Sequence, residues 1–115
     1  MAIIKMSELQ SGKQDVANWM IITNNYTAIK GDHLLIDTST STLTITLPSS
    51  PSIGDTIECI DVAGTHDVNN VTFDRNNSLI MGLSENLIAD VKNARYLLTY
   101  SDNNEGWKVN WHFYK

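Results

Sequence analysis

Thr42-Leu43-Thr44-Ile45-Thr46-Leu47 alternates without a break: Leu43, Ile45 and Leu47 point one way and three β-branched threonines point the other. A period of two over six residues fits a strand with one buried face and does not fit a helix. Pro48 and Pro51 end the run, because proline has no N–H to give to a ladder, and Ile53-Gly54-Asp55 opens the next segment.

The same reading extends outward to Trp19–Ile22, Leu34–Asp37, Thr56–Val62, Val71–Asp74, Leu87–Asp90, Tyr96–Tyr100 and Trp107–Phe113. Turn chemistry separates these runs at Lys30-Gly31-Asp32, Ala63-Gly64, Arg75-Asn76-Asn77 and Asp102-Asn103-Asn104-Glu105-Gly106. The expectation is an all-β fold, a single compact antiparallel β-sandwich or barrel-like domain of about eight short strands over residues 19–115. At 115 residues the chain suits one core that buries about two thirds of its unfolded surface and gains from partner subunits.

Residues 1–18 differ in texture. Ile3, Ile4, Met6 and Leu9 precede the polar stretch Gln10-Ser11-Gly12-Lys13-Gln14-Asp15, which reads as an N-terminal arm that orders on contact. Ser7 offers a helix cap, but Gly12 weakens any helix that follows. Ala2-Ile3-Ile4 is too short for the apolar core of a signal peptide, so no export signal is expected.

Composition narrows the classes of function. Hydrophobic residues make up 42% of the chain, and no window approaches the roughly 18 apolar residues of a membrane span. Eight basic against thirteen acidic residues leave a formal charge of -5 with no basic cluster, which disfavours nucleic acid. Cys59 has no second thiol to pair with, so a packing role is expected.

Catalytic frames are poorly encoded. His33, His66 and His112 fall in separate segments without metal-pair spacing, and no nucleophile elbow or phosphate-cradling glycine loop is present. Glu58 and Asp61 take opposite faces of one strand, and Asp55 and Asp61 share a face far apart. The acidic run from Asp102 reads as a hairpin turn, since a calcium loop of the helix–loop–helix type needs flanking helices. No catalytic residue, metal or cofactor is expected.

On the last run, Trp107, Val109, Trp111 and Phe113 share one face, opposite Lys108, Asn110, His112 and Tyr114. So large an apolar face fills the domain's own core or lies at a subunit interface, where aromatic anchors carry much of the binding energy. Trp107, Trp111 and Phe113 are the candidate anchors, with Ile3, Ile4 and Met6 as arm contacts.

The order Tyr26-Thr27-Ala28, Gly31-Asp32, Asp37-Thr38-Ser39, Thr44 to Pro48, Pro51 and Gly54-Asp55 resembles a module of tail-fibre and other virion structural proteins of tailed bacteriophages, cyanophages prominently. Asp61, Gly64, Asn69-Asn70-Val71-Thr72, Asn86-Leu87, Tyr100, Trp107 and Val109 look like its second half, so the resemblance covers about residues 26 to 109. The resemblance implies a β-structured, usually trimeric virion component without catalytic residues, although such modules commonly form part of a much longer fibre chain. Two placements follow from it: a tail-fibre or tail-appendage piece whose arm docks to a larger virion protein by strand addition, or a trimeric capsid decoration protein. A reading of another class is a module that binds host surface glycan on an exposed Trp19, Trp107 or Trp111. Ring exposure discriminates between these classes.

Overall fold

In the computed structural model, residues 18–113 are described. The arm expected over residues 1–18, with Ile3, Ile4 and Met6, lies outside the described residues apart from Asn18. Nine strands occur among the described residues, with no helix: β1 (Trp19–Ile22), β2 (Tyr26–Thr27), β3 (His33–Ile36), β4 (Leu43–Thr46), β5 (Thr56–Asp61), β6 (Val71–Asp74), β7 (Leu87–Ala89), β8 (Ala94–Asp102) and β9 (Gly106–Phe113). Each strand expected from the alternation is present within two residues of its bounds. The two-residue β2 is an addition too short to show a period.

The strands form two sheets, one in the order β1-β3-β5-β8-β9 and the other in the order β2-β4-β6-β7. The expectation of an antiparallel arrangement is corrected here. β1 with β3, β3 with β5, β2 with β4 and β4 with β6 all pair parallel, and only the pairs β5–β8, β6–β7 and β8–β9 are antiparallel. The chain alternates between the sheets through its first six strands, so each strand lies beside the one two earlier and runs the same way. The intervening strand in the other sheet does the work that a crossover helix does in most parallel sheets. The result is three turns of a flattened coil, closed by the antiparallel β7, β8 and β9.

Both sheets turn one face to a common core. Leu34 and Ile36 of β3, Leu43 and Ile45 of β4, Ile57 and Cys59 of β5, and Val71 and Phe73 of β6 are buried in a single cluster with Tyr96 and Leu98 of β8. Each such side chain contributes about 1.5–3 kcal/mol relative to exposure. Phe73 meets Tyr96 edge to face at 5.8 Å, a packing contact between the two sheets. Thr44 and Thr46 are half-buried on the opposite face of β4, as their alternation predicts.

Candidate functional site

The two sheets do not match in width. The larger sheet has five strands and ends at β9, and the smaller has four and ends at β7. The inward face of β9 accordingly changes along its length. Trp107 is fully buried, Val109 is partly buried, and Trp111 and Phe113 are 48% and 61% exposed. The two exposed rings meet edge to face at 5.5 Å, so the uncovered end of the strand carries an aromatic pair.

The beginning of β9 is covered by a turn. Ile80 and Leu83 exchange both backbone hydrogen bonds, and the residues between them, Met81 and Gly82, take φ of 52° and 77°, as a two-residue hairpin with the twist of a type I′ turn requires. Met81 N–H donates to the Trp107 carbonyl and Gly82 N–H to that of Glu105, while Trp107 N–H donates to Leu79. From Asn110 onward, no described strand pairs with the outer edge of β9.

Between that overhang and β7, the free edge of the smaller sheet, runs a groove lined by Leu87, Ala89, Val91, Ala94, Val109 and Trp111, with Ile88 and Asp90 on its β7 side. Its lining is apolar apart from the Asp90 carboxylate and the Tyr96 hydroxyl. Of the three anchors expected from the sequence, Trp107 belongs to the core, and Trp111 and Phe113 form the open face. The contribution of Leu87, Ile88 and Val91 was not visible in the sequence, because three residues of alternation are too few to show which side faces a partner.

A second cluster of chemistry-bearing groups is internal. His66 is fully buried, with Nδ1 3.0 Å from Asp61 Oδ1 and 3.1 Å from Thr38 Oγ1, and Nε2 3.0 Å from the Tyr96 hydroxyl. A carboxylate only accepts, so Nδ1 carries the proton and Nε2 accepts from Tyr96. Asp61 also accepts the backbone N–H groups of Thr65, His66 and Asn93. Burial lowers the His66 pKa below its ordinary value, against the opposing pull of Asp61 and Asp67. Burial likewise pushes the Cys59 thiol up, so the cysteine stays a thiol and packs. An Asp–His pair of this kind suits proton transfer, but with His66 sealed and Asp61 nearly so, no solvent-borne substrate reaches it in this structure. What the network does is tie the loop after β5 to the loops before β4 and β8.

On the outer face of the larger sheet, Arg95 forks onto Glu58, with Nε and Nη2 at 2.7 and 2.6 Å from Oε2, and His33 Nδ1 lies 3.1 Å from Oε1. The Arg95 guanidinium stands 5.8 Å from the centre of the Trp19 ring, and His33 lies 5.0 Å from it on a tilted plane. Trp19 is therefore occupied by its own neighbours, and Trp111 is the most open of the three tryptophans. Among the described residues no group of three or more His, Cys, Asp or Glu side chains is placed to hold a metal ion. No described helix is long and apolar enough to cross a membrane.

Neither a comparison with protein-family models nor one with curated proteins finds a match.

Proposed function

We propose that this chain is a non-enzymatic structural protein of a tailed-bacteriophage virion, a homotrimeric tail-fibre or tail-appendage component with the N-terminal arm as its docking element. In this reading the two sheets make a sandwich, and its contacts are with copies of itself and with other virion proteins. The observation that carries the reading is the aromatic overhang of β9. Trp111 and Phe113 stand on an apolar face with an open strand edge, an arrangement that gains free energy when a partner covers it. The resemblance to phage fibre modules supplies the virion context, and the buried polar network leaves the aromatic face as the more accessible of the two clusters.

The test is the solution mass of the full chain by light scattering at micromolar concentration, together with antibody labelling of intact particles. A mass near three times 12.9 kDa and label at the tail support the reading. A monomer removes the trimer, and label on the capsid shell moves the protein to a decoration role.

The exposure of Trp111 favours one second reading, a stacking platform for host surface glycan. Polysaccharide binding that vanishes in Trp111→Ala without a change of mass supports it. Absence of any such binding leaves the assembly role alone.

A further inference from the structure

We infer that the groove between β7 and β9 receives the N-terminal segment Ala2–Met6 of a neighbouring copy of this chain, added as a strand to the free edge of β7. The inference rests on the assembly reading above and names what the arm docks to. The smaller sheet has four strands and the larger five, and the groove beside β7 is lined on the β9 side by Val109 and Trp111. A strand laid there meets an apolar wall on its inner side and the unpaired edge of β7 along its length, which is the geometry of strand addition.

The segment suits that position. In Ala2-Ile3-Ile4-Lys5-Met6 the residues Ala2, Ile4 and Met6 share one face of an extended chain, and Ile3 and Lys5 share the other. An apolar face toward the tryptophan with a cation outward matches a groove whose one charged neighbour is Asp90. The chain carries five more negative than positive charges, and Lys5 is a cation able to complement that carboxylate.

Register points to a neighbour as the donor. Met20 pairs with Leu34, Leu34 with Cys59, Cys59 with Tyr96 and Tyr96 with Trp111, so β1 and the open end of β9 stand level at opposite edges of one sheet. Copies arranged head to tail bring the start of β1 in one beside the groove of the next, and in a trimer such contacts close into a ring. Within one copy the segment would have to cross about 19 Å of sheet, four strand spacings, and then round its edge. The twelve residues Ser7–Asn18 extend at most ~40 Å, enough to reach a copy packed against the β1 edge.

The experiment uses two full-length variants, Ile3→Cys and Ile88→Cys, both on the outward face of the extended sheet, each with a different mass tag, mixed and oxidised at micromolar concentration. The native Cys59 is buried and does not compete. The expected product is a covalent dimer holding one chain of each kind, formed in at least fivefold excess over dimers of like chains. If light scattering finds trimers but the mixed dimer does not form, the arm does not enter the groove, while the assembly reading survives. If scattering finds monomers, the neighbour is overturned as donor and the trimer with it, and closure of the Ile3→Cys/Ile88→Cys double variant within one chain would assign the groove to the chain's own arm.

Discussion

The imidazole Nε2 of His66 lies 3.0 Å from the hydroxyl of Tyr96, and the ring is wholly enclosed. Tyr96 donates only to a neutral imidazole, so the contact ties the folded state to one protonation state. Burial sets the folded-state pKa of His66 below its ordinary value of 6.5. As pH falls, the unfolded chain takes up this proton first, so the stability attached to the neutral ring is complete above about 6.5 and declines below it.

The unfolding free energy from urea denaturation is therefore expected to hold steady from about pH 8 towards 6.5 and then fall, by up to ~1.4 kcal/mol per pH unit for one proton. In His66→Gln the protein should be less stable at neutral pH and should lose that part of the slope. An identical slope in wild type and variant would mean that His66 is not the group responsible.

Gly106 opens β9 at φ 72°, where an added Cβ would stand 1.8 Å from the Leu79 carbonyl oxygen. Backbone has to move for any other residue to fit, and the turn that caps β9 moves with it. Gly106→Ala is expected to lose at least ~3 kcal/mol of unfolding free energy. Gly31, at φ 83° with nothing within 4 Å of its added Cβ, should lose only ~1–2 kcal/mol as Gly31→Ala. Chemical denaturation of both variants checks the pair, and equal losses would contradict the close approach at Leu79.

Trp107 and Trp111 stand on the same face of β9 with opposite surroundings. Trp107→Ala should cost ~3–5 kcal/mol as a core truncation. Trp107→Phe should cost less, because the Trp107 indole N–H is buried without a partner among the described residues and leaves with the substitution. Trp111→Ala should change the stability of a dissociated chain by no more than ~0.5 kcal/mol. Iodide quenching provides the independent measure: fluorescence accessible in wild type should diminish in Trp111→Ala and persist in Trp107→Phe.

Much of the strand content was legible because alternation at Leu43-Thr44-Ile45-Thr46 and its equivalents reports which side of a strand is wet. What alternation does not report is direction. Leu34 beside Cys59 reads the same whether the strands run together or opposed, and the parallel coil depends on connections that place alternate strands in different sheets. The site was legible in half. Trp111 and Phe113 stood out as large apolar residues on one face, whereas their exposure depends on the smaller sheet stopping at β7, and no residue in β9 records where another sheet ends. The partners of His66 were invisible for a related reason: Thr38, Asp61 and Tyr96 approach it from separate loops and strands, and sequence spacing carries no trace of that meeting.

The first six strands advance by repetition, each pair of strands resting on the pair before, and β1 and β2 leave the starting end of both sheets unpaired among the described residues. A protein grown in this way has stability that is nearly additive in its layers. Its length is adjustable in whole steps: duplicating the segment from His33 to Asp55 would insert one more layer without altering the closing hairpin or its aromatic rim. The spacing between the two ends of such a molecule can thus be set like the rungs of a ladder, while the surface that meets a partner stays the same.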